Sequence, residues 1–172
     1  MIVFDASTLI LIAKIEALDL FLNGSKLQVL IPVEVEKESC AAKKSMDALM
    51  IQKAIEESKI KVLSVKNKRT ITRLRSDFGL GKGEAEAIAL ALAQPAVTEK
   101  VPIVAIDDKN GINACKLLGL AFTTAIGILV RMREKRLLTR EDALAKLAAL
   151  GRHGRYKQSI MEDARKKLEA AV

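Results

Sequence analysis

Asp5, Glu38, Glu84, Asp107 and Asp108 each open a helix-like stretch after a strand-like run or a turn, a placement from which phosphate chemistry can be built. The apolar run 1–4 leads straight into Asp5, and the run 101–106 leads into Asp107-Asp108. Glu38 closes an alternation of Glu34, Glu36 and Glu38 that follows Pro32, and Glu84 follows the turn Gly79-Leu80-Gly81-Lys82-Gly83. Short continuous apolar runs read as buried parallel strands, and ligands of open α/β sheets gather at the carboxyl ends of such strands. Carboxylates crowded at one sheet edge repel unless a cation or a proton joins them. A divalent metal answers that repulsion, so a metal-dependent phosphodiesterase is the expected chemistry.

Each acid also has a plainer reading. Asp5 and the Asp107-Asp108 pair suit helix N-caps, and Glu84 suits the positive end of a helix dipole. The three glutamates of 34–38 suit a solvated helix start. Helix starts after parallel strands cluster on one sheet edge, and it is the combination that makes a single acidic pocket.

Other chemistries fit poorly. Cys40 and Cys115 form no CxxC pair and His153 is the only histidine, so a structural zinc site is not expected. A Ser-His-Asp triad would have to use His153, which lies in the basic stretch 151–155 and reads as a solvated loop residue. Both cysteines read as buried thiols in helices. The turn 79–83 lacks the last glycine of a dinucleotide fingerprint, and Lys82 is followed by glycine, not by the pattern of a phosphate-binding Walker loop. A receiver-like phosphoacceptor would need a further aspartate after the strand-like run 60–65, which supplies none.

The elements that must position these acids alternate β and α. Strand-like runs fall at 2–5, 27–31 (closed by Pro32), 60–65, 103–107 and 120–123. Helical patterns cover 7–22, 33–57 with a break near Ser39-Cys40, 66–78, 84–94, 109–118, 126–135, 140–150 and 156–170. Pro95 and Pro102 fence a loop. Thr139, three residues before Asp142, reads as a helix start. Alternation of this kind implies a parallel sheet with helices on both faces.

The 172 residues suffice for one domain with a proper core, and half of them are apolar, which excludes disorder. No apolar run approaches the ~20 residues of a membrane span. The first run begins without a basic leader, so a cytoplasmic protein is expected. Net charge is +8, from 29 basic and 21 acidic residues. Residues 59–82 carry eight basic side chains and one acidic, and residues 128–172 carry twelve and six. A basic surface around an acidic pocket suits a polyanionic substrate. Aromatics at 3% leave little for base-stacking platforms.

The segments VFDASTLI (3–10), IPVEVEKE (31–38), GLGKGEAEAIALALA (79–93), IVAIDDKNG (103–111) and LGLAFTTAIGILVRMREKRLL (118–138) resemble those of PIN-domain proteins, small metal-dependent ribonucleases. Their order and spacing are similar to a compact subgroup of toxin ribonucleases from toxin–antitoxin pairs. The resemblance implies a three-layer α/β/α sandwich with a central parallel sheet. It implies a PIN-like nuclease domain at 1–138 and a helical C-terminal extension at 139–172 packed on the same domain.

By the same resemblance, the family's first acid falls on Asp5, with Ser7 as the neighbouring hydroxyl. The second falls on Glu38, with Glu34 and Glu36 leaving the register open. The third falls on Glu84, where many members have aspartate. The last falls on Asp108 or Asp107, Asp108 being favoured for direct or water-mediated metal binding. Asp5, Glu38, Glu84 and Asp108 are then the catalytic set, and Asp5, Glu84, Asp107 and Asp108 the ligands of Mg²⁺ or Mn²⁺. One ion would bind between Asp5 and the Asp107-Asp108 pair, and a second near Glu38 or Glu84 with substrate present. Ser7, Lys82 and Lys109 would contact substrate, with Arg73 and Arg75 as further backbone contacts. The implied activity is endonucleolytic hydrolysis of single-stranded RNA, leaving 5′-phosphate and 3′-hydroxyl ends. A homodimer and an antitoxin partner are implied as well. The alternative is a non-catalytic RNA- or partner-binding module on the same scaffold.

Overall fold

The structure, a computed structural model, describes residues 1–40, 44–94 and 102–171. Five strands form one sheet, β1 (Ile2–Phe4), β2 (Val29–Pro32), β3 (Ile60–Leu63), β4 (Ile103–Ala105) and β5 (Ala121–Thr123), in the order β3-β2-β1-β4-β5. Every pairing is parallel, with Phe4 level with Ala105 where β1 meets β4. Ten helices are described: α1 (Ala6–Lys14), α2 (Leu18–Gly24), α3 (Val33–Cys40), α4 (Met46–Glu56), α5 (Lys68–Phe78), α6 (Lys82–Ala93), α7 (Lys109–Leu117), α8 (Ala125–Glu134), α9 (Arg140–His153) and α10 (Gln158–Ala170).

Alternation along the strands divides the core in two. Ile2, Phe4, Val29, Ile31 and Ala105 face one side, where Leu9, Leu18, Ile51, Leu129, Leu147 and Leu168 cover them from α1, α2, α4, α8, α9 and α10. Val3, Leu30, Val104 and Ile106 face the other, under Leu74, Ile88 and Ala114 of α5, α6 and α7. Both faces of the strands are therefore buried, as an all-parallel sheet requires. The result is the three-layer α/β/α sandwich that the sequence pattern implied.

The strand order places a switch point at β1. The chain steps from β1 to β2 and β3 on one side, then returns through α5 and α6 to β4 on the other. A crevice opens at the carboxyl ends of β1 and β4, the usual ligand position in such sheets.

Several boundaries differ from the sequence expectation. The stretch 7–22 is two helices, because the chain turns at Glu16, whose φ of 54° is left-handed without a glycine to announce it. Pro32 is the last residue of β2, not the stop after it, and pairs with Leu63. The strand expected at 103–107 ends at Ala105, which leaves Asp107 in the loop beyond it. Helix α6 begins two residues before Glu84, so Glu84 sits inside its first turn. His153 ends α9 and does not lie in a loop. Thr139 caps α9 as expected, accepting from the Asp142 backbone N–H at 3.1 Å. The loop fence at Pro95 and the first residue of the apolar run, Val101, lie outside the described residues.

Candidate active site

Asp5 ends β1 and caps α1. Its Oδ1 accepts from the Thr8 backbone N–H at 2.8 Å, and its Oδ2 accepts from the Ser7 hydroxyl at 2.7 Å. The side chain is 1% exposed. Burial pushes its carboxyl from 3.8 up to about 7, against the lowering effect of the Thr8 and Ser7 hydrogen bonds, and the nearby Asp107 charge raises it further. A capping role alone needs no such burial.

Asp107 approaches from β4. Its Oδ2 accepts from the Thr8 hydroxyl and from the Ala125 backbone N–H, both at 2.9 Å. Its Oδ1 accepts from the Tyr156 hydroxyl at 2.8 Å. Thr8 thus donates its backbone N–H to one strand-end acid and its hydroxyl to the other. Asp108, the next residue, caps α7, and its Oδ1 accepts from Asn110 N–H at 2.7 Å and Gly111 N–H at 3.0 Å. Adjacent acids therefore do separate work: Asp107 ties β4 to α1 and α8, while Asp108 starts α7 and lines the cleft.

Glu84 enters from α6. Its Oε2 accepts from the Gly81 backbone N–H at 2.9 Å, the reach-back of a capping box. Half-burial raises its pKa first, and the charges of Asp108 and Glu38 add to the effect. Glu38 reaches this group because Gly83 has no side chain: a Cβ there would stand 2.5 Å from Glu38 Oε2. The three glutamates differ in surroundings. Glu34 lies with Lys82 at 2.7 Å and Lys37 at 3.9 Å, while Glu38 is the one beside Glu84.

An open cleft of about 1120 Å³ is lined by Ser7, Glu84, Asp107, Asp108 and Lys109 among others, while Asp5 and Glu38 are not among its lining residues. Lys109 is exposed at its edge. Lys82 commits its ammonium to Glu34, which lowers the Glu34 pKa and raises its own, so it is not free for a phosphate in this arrangement. Cys115 is buried, and burial followed by the Asp5 charge pushes its thiol up to about 11, which makes it a poor nucleophile. Tyr156 and Thr8 are the site residues that the sequence pattern did not mark. The hydroxyl two positions after Ser7's partner Asp5 drew notice, but its neighbour Thr8 carries the link to Asp107.

The donor set tests the implied metal. Five carboxylates and no soft ligand suit a hard divalent cation. Burial is the first cause of the raised pKa of Asp5 and of Glu84, and neighbouring carboxylate charges add to it. Among the described residues no group of three or more His, Cys, Asp or Glu side chains stands assembled to hold an ion. The carboxylates suit such an ion by donor type.

A family model described as PIN domain matches residues 1–170, and the chain belongs to the PIN-domain family. No curated protein and no solved structure matched in the other two comparisons. The family match spans the C-terminal helices as well as the sheet. No helix of the described residues is long and apolar enough to cross a membrane.

Proposed function

We propose that the chain is an endoribonuclease dependent on Mg²⁺ or Mn²⁺ that hydrolyses phosphodiester bonds of single-stranded RNA. The observation that carries this reading is the burial of Asp5 at the switch point, tied through Thr8 to Asp107, which lines one cleft with Glu84 and Asp108. Asp5 and the Asp107-Asp108 pair would hold the ion, with Glu84 beside it. A bound divalent ion supplies Lewis-acid polarisation of the phosphate and acidifies its water.

The chain's own residues do the rest. Ser7 and Thr8 fix the Asp5 carboxylate, so its orientation costs nothing when substrate arrives. Glu84, held at one oxygen by Gly81 N–H and raised in basicity by half-burial and then by the Asp108 and Glu38 charges, is the group suited to accept a proton from the attacking water and leaves the ion to the aspartates. Lys109 supplies positive charge at the cleft edge for a phosphate. Hydrolysis in this sense leaves 5′-phosphate and 3′-hydroxyl ends. A toxin role, an antitoxin partner and a homodimer rest on the resemblance and belong to the same reading, and a cytoplasmic location is proposed with them.

A second reading, a non-catalytic RNA- or partner-binding module, draws on the lack of an assembled three-ligand group among the described residues. One experiment separates the two. Single-stranded RNA is incubated with Mg²⁺ or Mn²⁺, with EDTA and Asp5→Asn as controls. Cleavage lost in both controls supports the nuclease; RNA retention without cleavage by the wild-type chain supports the binding module.

A further inference from the structure

The chain's only tyrosine comes to the acidic edge from the loop between α9 and α10, in the segment that the resemblance set apart as an extension. The Tyr156 hydroxyl donates to Asp107 Oδ1 at 2.8 Å across 49 residues of sequence. Gly154 allows this placement, because a Cβ there would overlap the Tyr156 ring. The ring is half-buried against the core of the β1 face. Burial first, then the charge and hydrogen bond of Asp107, raise the phenol pKa, so it stays a donor.

With this bond Asp107 has three donors from three separate elements: Thr8 of α1, Ala125 at the start of α8, and Tyr156. Two of them share Oδ2, so Tyr156 is the one that fixes the rotation of the other oxygen. The α9–α10 hairpin has a separate anchor at the end of α1 opposite to Asp5. Lys146 Nζ donates to the backbone carbonyls of Ile15 at 2.7 Å and Glu16 at 3.2 Å. Docking of the hairpin and contact with the site can therefore be perturbed one at a time.

We propose that Tyr156 is a positioning residue of the acidic site: its hydroxyl locks the Asp107 carboxylate, and through it the charged edge that Asp107 forms with Asp5. The proposal rests on the metal-dependent reading above, and partners of this outer kind commonly govern ion affinity or activity by about 10–100-fold.

The test uses the full chain as wild type, Tyr156→Phe and Lys146→Met. Mn²⁺ affinity is measured by calorimetry, RNA cleavage as kcat and KM, and stability as Tm. Tyr156→Phe is expected to weaken Mn²⁺ binding about tenfold and to lower kcat by a similar factor, with KM within about twofold. Lys146→Met is expected to lower Tm at least as much as Tyr156→Phe while Mn²⁺ affinity and kcat stay at the wild-type values. Unchanged or tighter Mn²⁺ binding by Tyr156→Phe overturns the proposal. So does a Lys146→Met chain that reproduces the loss, or a Tyr156→Phe chain that does not fold. A wild-type chain that binds Mn²⁺ but cuts no RNA removes the ribonuclease reading and leaves the Mn²⁺ comparison to decide on Tyr156. A wild-type chain that binds no Mn²⁺ overturns the inference itself.

Discussion

Thr8 and Asp107, 99 residues apart in sequence, are joined by a hydrogen bond of 2.9 Å from the threonine hydroxyl to the aspartate Oδ2. Thr8 is fully buried, and its backbone N–H is already given to Asp5. One residue therefore holds together the acids that follow two neighbouring strands. Thr8→Val keeps the shape and the backbone N–H but removes the hydroxyl donor. The expected cost is about 1–3 kcal/mol of stability, as for a buried acceptor left short of a partner. Thr8→Ser, which restores the donor, is expected to recover a large part of the lost RNA cleavage. Urea unfolding and initial cleavage rates check the pair; equal rates for Thr8→Val and wild type would remove the link from the site.

The Asp5 carboxyl gives the chain a pH dependence of defined sign. Its folded pKa of about 7 lies above the ordinary 3.8, so the folded state keeps the proton over a range where the unfolded state has lost it. Stability from this group is complete below about pH 4 and is lost as pH rises through 7. The half-buried Glu84, also raised, adds in the same direction. The gap corresponds to a penalty on the order of 4 kcal/mol at pH 8 in the absence of metal. Asp5→Asn is expected to be more stable than wild type at pH 8 and to flatten the profile between pH 5 and 8. Mn²⁺ competes with that proton, so its stabilising effect on the wild type is expected to be larger at pH 8 than at pH 5.5. Thermal melts with and without Mn²⁺ at both pH values check this; a wild type that gains stability from pH 5 to 8 without metal contradicts it.

The layers and the acids could be read from local pattern because both are local properties. Apolar runs ended in Asp5 and Asp107, glycine marked the start of α6, and Thr139 announced α9. What escaped depends on contacts between distant segments. Nothing near Glu34, Glu36 or Glu38 distinguishes them until Gly83 makes room for Glu38 and Lys82 takes Glu34. Three helix ends use left-handed residues other than glycine, Glu16, Ser58 and Arg136, so the break between α1 and α2 carried no signal. Tyr156 lies 49 residues from its partner, at the start of the helical pattern 156–170, whereas α10 begins only at Gln158 and leaves Tyr156 in the loop before it.

Glu84 combines a structural and a chemical duty that one substitution separates. Its Oε2 closes the start of α6 on Gly81 N–H, and a glutamine carbonyl accepts the same bond. Glu84→Gln is therefore expected to change stability by less than about 0.5 kcal/mol while lowering cleavage by about 10²–10⁴-fold. Glu84→Ala loses the cap as well and is expected to cost about 1 kcal/mol in addition. Denaturant titration and single-turnover cleavage measure the two effects side by side. Retained cleavage by Glu84→Gln would assign Glu84 to the helix start alone.

Gly83→Ala tests Glu38 without touching a carboxylate. Alanine favours the interior of a helix over glycine by about 1 kcal/mol, and Gly83 lies within α6. The added Cβ would meet the Glu38 carboxylate at 2.5 Å, so that flexible side-chain end must swing away from Glu84. Stability is expected to stay level or rise while cleavage falls, because the packing cost lands on a movable group and the chemical cost on the site. Removing a neighbouring charge also relieves Glu84, whose raised pKa is then expected to move down toward its ordinary value. The acidic limb of the pH–rate profile reads that shift directly. A Gly83→Ala chain with wild-type rate and profile would show that Glu38 stands beside the site without acting in it.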